Sequence, residues 1–277
     1  MRRERRKGDF LDFLKSVLRK ARANGRAVGL INALSAAYQH SKDMRDYLRR
    51  GEILRALSGD RPRDPAALVS LAMDSAGGFL RPMQNRFEAA ELVRTVSARQ
   101  PRHVLEIGTA RGGTLFLLTE SAAPDAHVVS LDLPHGRNGG GYPAWKAEIY
   151  RRFARGGRRI TLLRANSHLP ESRELARAEA GPQGFDLIMI DADHSYAGVK
   201  TDFELYAPLL APGGMIVMHN ILPNRFDAEI DVAPFWQEVK ARYPVTREIV
   251  EDEGQGVFGI GLVFPDGAAD QGAGEQR

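Results

Sequence analysis

Two short segments of this chain end apolar runs with side chains that can carry protons or bind oxygen. Leu187-Ile-Met-Ile190 leads into Asp191-Ala-Asp-His194, and Met215-Ile-Val-Met218 leads into His219-Asn220. A run with no polar position reads as a strand buried on both faces. In open α/β sheets, ligands bind at the carboxyl ends of such strands. A histidine with an ordinary pKa of about 6.5 can take a proton at neutral pH, so His194 and His219 are both candidate bases. Two other roles stay open for each: a metal ligand, or a bond to nearby backbone. The carboxylates of Asp191 and Asp193 and the amide of Asn220 supply oxygens at the same place.

A third segment, Val104-Leu-Glu-Ile-Gly-Thr-Ala-Arg-Gly-Gly-Thr114, reads as strand, glycine turn and helix start. That arrangement brings backbone N–H groups close to a ligand. The spacing is not the G-x-G-x-x-G of dinucleotide sites, which disfavours a dehydrogenase. Asp132 ends a further apolar run and can accept hydrogen bonds from a ribose diol. Asn166 and Ser167 follow a third, where an amide can both donate and accept; an ordinary Asx or Ser turn is the other reading. Between Leu133 and Trp145 lies a glycine-rich loop that suits a lid over the strand ends, with Tyr142 and Trp145 as apolar cover.

The elements that must position these groups alternate. Strands are expected at His103–Ile107, His127–Asp132, Arg159–Arg164, Phe185–Ile190, 215–219, 245–250 and 257–264. Helices are expected at 87–99, 114–121, 145–155, 172–179, 199–209 and 234–242. Strands separated by helices imply a mostly parallel sheet with right-handed crossovers. The last two strands lack an obvious helix between them and can pair as an antiparallel hairpin. The expected organisation is a basic helical N-terminal region over 1–75, an α/β domain over 76–265 and a disordered tail over 266–277. Asp64 and Pro65 read as N-cap and first residue of a helix, and a helical stretch over 30–57 breaks near Gly51.

Composition narrows the function classes. The chain has no cysteine, which excludes disulfides, thiolate catalysis and Cys-ligated metals and fits a cytoplasmic setting. No apolar run reaches the roughly 18–20 residues of a bilayer span, and Met1–Lys7 lacks the apolar core of a secretory signal. Residues 1–63 hold 17 Lys/Arg against 7 Asp/Glu, and the remainder 22 against 28. The basicity therefore belongs to the N-terminal arm, and nucleic acid is not the expected partner. Apolar residues at helical spacing over 10–21 form an amphipathic basic helix. It can attach to a membrane surface or pack against protein, either its own domain or a second copy.

The glycine turn with Glu106 two residues before Gly108, Asp132, and Ile190-Asp-Ala-Asp-His-Ser-Tyr196 followed by Leu210-Ala-Pro-Gly-Gly and His219-Asn220 resemble the class I S-adenosylmethionine (SAM)-dependent methyltransferases. Within them the likeness is to the small-molecule O-methyltransferase branch: caffeoyl-CoA and catechol-type enzymes, macrocin and sugar O-methyltransferases, and the cephalosporin-hydroxylase-like group. It covers about residues 84–222.

The resemblance implies a Rossmann-like seven-stranded methyltransferase sheet with its last strand antiparallel, plus an N-terminal helical appendage that caps the site or builds a homo-oligomer. It implies that SAM is held by Gln84, Glu106, Gly108, Thr109, Gly112, Gly113, Thr114, Asp132, Asn166, Ser167 and Asp191. His194 stands where catechol-type enzymes carry the lysine base, with His219 its rival. A divalent cation, Mg²⁺ or Mn²⁺, would fall to Asp191, His219 and Asn220. The chain departs from the family there, because His219-Asn220 replaces the usual acid. The implied reaction is methyl transfer to a hydroxyl of a small polar acceptor. Methylation of RNA or protein, and a non-catalytic SAM-binding domain, are the other readings.

Overall fold

The computed structural model describes residues 41–134 and 141–267. The expected helix over 10–21, the loop residues 135–140 and the tail from 268 lie outside the described residues. Residues 41–48 are helical, and up to Arg49 the chain falls in a unit of its own. The compact unit that carries the sheet starts at Arg50. The helix break comes at Arg49; Gly51 lies inside the first helix of that unit, α1 (Arg50–Ser58).

Helix α2 (Pro65–Asp74) starts as its residues dictate: the Asp64 carboxylate accepts the Ala67 N–H at 2.8 Å and Pro65 occupies the first turn. Helix α3 (Arg86–Arg99) opens on a capping box between Asn85 and Glu88. Strands and helices then alternate: β1 (His103–Ile107), α4 (Gly113–Ser121), β2 (His127–Asp132), α5 (Lys146–Arg151), β3 (Arg159–Arg164), α6 (Pro170–Glu179), β4 (Phe185–Ile190), α7 (Tyr196–Tyr206), β5 (Leu210–His219), α8 (Ala233–Arg242), β6 (Thr246–Ile249) and β7 (Ile260–Val263).

The sheet order is β3-β2-β1-β4-β5-β7-β6. The first five strands run parallel, and β7 is antiparallel to both β5 and β6. Because β1 has β2 on one side and β4 on the other, the order reverses there. Their carboxyl ends therefore border the crevice where α/β sheets bind ligands.

Alternate residues of each strand serve opposite faces. Val104, Val128, Leu187, Met189 and Val217 pack with α1 to α5 through Ile53, Leu68, Val93, Leu115 and Tyr150. Leu105, Val129, Ile188, Ile190 and Met218 pack with α6 to α8 through Ala176, Phe203, Phe235 and Trp236. Helices α1 and α2, which the sequence grouped with the N-terminal region, thus share the core of the sheet. Strand β5 starts at Leu210, five residues earlier than expected. Pro212-Gly-Gly214 is carried inside it as an irregularity where the pairing with β4 shifts register. Among the described residues, no helix is long and apolar enough to cross a membrane.

Candidate active site

The glycine turn after β1 is shaped by its neighbours. Gly108 has φ of 94°, and a Cβ there would stand 2.2 Å from the Asp191 carbonyl oxygen. A Cβ on Gly113 would stand 2.4 Å from the Leu80 carbonyl, and one on Gly112 would enter the Tyr150 ring. These glycines therefore let three other segments approach the turn. Ala110 is held at φ of 44°. Its N–H bonds Asp132 at 2.6 Å and its carbonyl accepts the Tyr150 hydroxyl at 2.9 Å. Nothing local marked Tyr150 for this role, since the contact spans 40 residues.

Asp132 ends β2 and is 7% exposed. Its Oδ2 accepts the N–H groups of Thr109 and Ala110, and its Oδ1 accepts those of Leu133 and Gly141 at 2.7 and 3.1 Å. Burial pushes this carboxyl up, and the four backbone donors pull it back. A ribose diol can bond Asp132 by replacing Leu133 and Gly141 at Oδ1; Gly141 belongs to the glycine-rich loop. Tyr142, the next residue, is buried edge-on against Tyr150 with ring centroids 4.9 Å apart.

Glu106 is fully buried. Its Oε2 accepts the Thr109 hydroxyl at 2.7 Å, and the Thr109 and Ser130 hydroxyl oxygens stand 2.5 Å apart. Its Oε1 has no hydrogen-bond partner among the described residues. Burial raises this carboxyl well above the ordinary range; Thr109 opposes the rise, and Asp132 and Asp191 add to it. The Thr109 hydroxyl bond ties Glu106 to the glycine turn, so the geometry favours Glu106 as organiser of the turn.

Asp191 is the node of the site. Its Oδ1 lies 2.9 Å from His219 Nδ1 and 3.2 Å from His194 Nε2, and its Oδ2 accepts Gln84 Nε2–H at 3.1 Å. Burial works against its charge, but the two imidazoles outweigh it and hold the carboxyl well below the usual range. An ionised carboxylate only accepts, so each histidine presents an N–H to it. The ring nitrogens turned away from Asp191 are then His194 Nδ1 and His219 Nε2. Burial lowers His194, yet the Asp191 hydrogen bond and charge raise it overall. The His194 side chain is 36% exposed and that of His219 is 1% exposed. His219 stacks on Phe258 at 5.8 Å, a neighbour that sequence reasoning missed because it lies 39 residues further along the chain, just before β7. His219 Nε2 and Asn220 Oδ1 have no hydrogen-bond partner among the described residues, and Asn220 takes φ of 62°.

The turn after β3 uses its polar groups internally. Asn166 Oδ1 accepts the His168 N–H at 3.0 Å, which leaves the amide's NH₂ to meet a ligand, and the Ser167 carbonyl accepts the Tyr206 hydroxyl. Thr114, in the first turn of α4, donates to Gln84 Oε1 at 3.2 Å.

Mg²⁺ does not fit this arrangement. Mg²⁺ needs several oxygen ligands, and the set here is one carboxylate, two imidazoles and one amide. The carboxylate already takes three protein donors on its two oxygens. Asp193 Oδ1 is turned to the Ser195 N–H. Among the described residues, no group of three His, Asp or Glu side chains is arranged to hold an ion.

Clefts among the described residues include two of note. One of about 360 Å³ is lined by Arg81, Met83, Gln84 and Asn85, beside the residue that bonds Asp191. The larger, about 450 Å³, lies at Phe203, Pro212 and Tyr243 by the start of β5, where none of the site residues stands.

Residues 105–221 match a family profile described as "Methyltransferase domain". A curated relative, "Uncharacterized protein y4gI" of Sinorhizobium fredii, is 26% identical over 152 residues; the match takes in 54% of this chain and 16% of that protein's length. The O-methyltransferase TomG of Streptomyces achromogenes, involved in tomaymycin synthesis and solved with SAM, superposes with a TM-score of 0.51 at 21% identity. It covers 76% of this chain and 91% of its own. An O-methyltransferase of Bacillus cereus solved with S-adenosylhomocysteine (SAH) gives 0.51 at 19% identity, covering 72% and 96%. At these identities the likeness establishes the fold. The profile match and the reversed sheet order with antiparallel β7 agree: residues 105–221 match a methyltransferase domain, and the sheet that holds them has the methyltransferase fold.

Proposed function

We propose that the chain transfers the methyl group of SAM to a hydroxyl of a small polar acceptor, a sugar or a natural product, with His194 as base and with no metal. The observation that carries this reading is the Asp191 carboxylate holding two imidazoles at the adjoining ends of β4 and β5, against the glycine turn. When bound, SAM supplies an electrophilic methyl on a cationic sulfur; the acceptor oxygen attacks it, and the C–S electron pair stays with the sulfur.

The protein's own part is positioning and proton removal. The glycine turn and Asp132 are assigned to the nucleoside, with the N–H groups of Leu133 and Gly141 giving way to the ribose diol. The Asn166 NH₂ is assigned to the adenine. His194 Nδ1 takes the acceptor's hydroxyl proton while its Nε2–H stays on Asp191. Asp191 orients the ring and stabilises the imidazolium that forms. His219, buried under Phe258, fixes Asp191 from the other side. A positioned base of this kind contributes about 10²–10⁴ in rate.

The test is incubation of methyl-labelled SAM with polyhydroxylated sugars and catechols, followed by mapping of the methylated atom. Label on oxygen in the wild type, falling about 100-fold or more in His194→Ala, is the expected outcome. Label on nitrogen, or wild-type rates in His194→Ala, overturns the assignment.

A further inference from the structure

We infer that Gln84 is a positioning residue for Asp191 and not a contact of the cofactor. The inference rests on the proposed role of Asp191 and His194 as the base machinery. Gln84 is 3% exposed, and both ends of its amide are used within the protein. The NH₂ end faces Asp191 Oδ2 at 3.1 Å, and the oxygen end faces the Thr114 hydroxyl at 3.2 Å. The two ends are not interchangeable. A flipped amide would set its oxygen against an anionic carboxylate, so the charge on Asp191 decides the orientation.

The consequence falls on Asp191. A carboxylate fixed at one oxygen only can turn about its Cβ–Cγ bond and exchange its oxygens. Here Oδ2 is tied to Gln84, which leaves Oδ1 for both imidazoles. Three segments thus define one carboxylate: the lead into α3, the turn after β4 and the end of β5. The lead into α3 is itself braced, because Leu80 and Pro82 pass so close to Gly113 that no Cβ fits there. Thr114 sits next to that glycine. The chain Thr114–Gln84–Asp191 therefore carries the placement of the glycine turn to the two histidines.

The experiment uses the full chain with ¹⁵N-labelled histidine, long-range ¹H–¹⁵N NMR at about pH 9, where free imidazole is neutral, and calorimetry with SAH. The wild type is expected to show His219 as the Nδ1–H tautomer and His194 as the Nε2–H tautomer. In Gln84→Met both rings should move toward mixed tautomers, with SAH affinity within about twofold of wild type. Thr114→Val, which removes only the amide's second anchor, should move them the same way by less, and it serves if Gln84→Met does not fold. Unchanged rings in the folded variant overturn the inference. So does a tenfold or greater loss of SAH affinity in Gln84→Met, because it would make Gln84 a cofactor contact. If the wild type binds neither SAM nor SAH, the methyltransferase reading fails by itself, and the ring spectra still decide the role of Gln84.

Discussion

His219 Nδ1 stands 2.9 Å from Asp191 Oδ1 because of strand register. Ile190 pairs with Met218 across β4 and β5, so the next residue of each strand meets the other beyond the last ladder position. This bond between two strand ends has a pH signature. The Asp191 carboxyl is held below its ordinary value in the folded chain. Its stabilisation is therefore full above the unfolded value of about 3.9 and is lost as pH falls toward the folded one. Thermal melts of wild type and Asp191→Asn should differ by on the order of 2 kcal/mol near neutral pH, and the gap should begin to narrow below about pH 5 and go on shrinking as pH falls past about 3 toward the folded value. A gap that holds constant down to pH 3 contradicts the ionised, imidazole-bound carboxylate.

Glu106 carries the opposite sign. Its carboxyl is raised by burial, so its contribution is full below the unfolded value and declines as pH rises. Glu106→Gln keeps the shape and removes the ionisable group. The variant should gain thermal stability relative to wild type as pH goes from 5 to 9, read as a widening difference in melting temperature. A difference that narrows over that range would show that the carboxylate is stabilised in its charged form.

Two glycines separate crowding from open space. A Cβ on Gly113 would meet Leu80 O at 2.4 Å and Pro82 N at 2.6 Å, whereas one on Gly51 in α1 meets nothing within 4 Å among the described residues. Gly113→Ala should cost about 3 kcal/mol by overpacking, and Gly51→Ala should stabilise by about 0.5 kcal/mol through helix propensity. Urea titrations of both variants check the contrast. Equal midpoints would mean that the 80–82 segment yields freely.

His168, beside Asn166 and Ser167, stands 3.6 Å from the fully buried Asp202. Asp202 raises the imidazole, while partial burial opposes. That stabilisation is present below the ordinary histidine value of about 6.5 and is lost as pH rises through the folded one. Asp202→Asn should accordingly cost more stability at pH 5.5 than at pH 9, measured by denaturant midpoints at the two values. An equal cost at both would remove the ion pair.

The parts of this molecule set by local pattern were readable from residues alone. Apolar runs located β1 to β4 at their observed bounds, and Asp64-Pro65 marked the start of α2. The hairpin of β6 and β7 followed from the missing helix between them. What local pattern does not encode is which distant segment fills a given space. Strand β5 absorbs Pro212-Gly-Gly214 because the register with β4 shifts there. Helices α1 and α2 join the sheet's core because Ile53, Leu57, Leu68 and Val69 are buried in one cluster with Val104 and Val128 of the strands. The same holds for the site. Asp191, His194 and His219 could be placed at one edge from strand ends, but the Gln84 and Tyr150 contacts and the four donors on Asp132 depend on packing between remote loops.

The account depends most on a nucleoside binding beside the glycine turn and Asp132. Isothermal titration of the purified full chain with SAH, repeated on Asp132→Ala, tests that directly. The account predicts saturable one-to-one binding by the wild type and a loss of at least tenfold, about 1.4 kcal/mol, in the variant. No binding by the wild type, or equal affinity in both proteins, would contradict it.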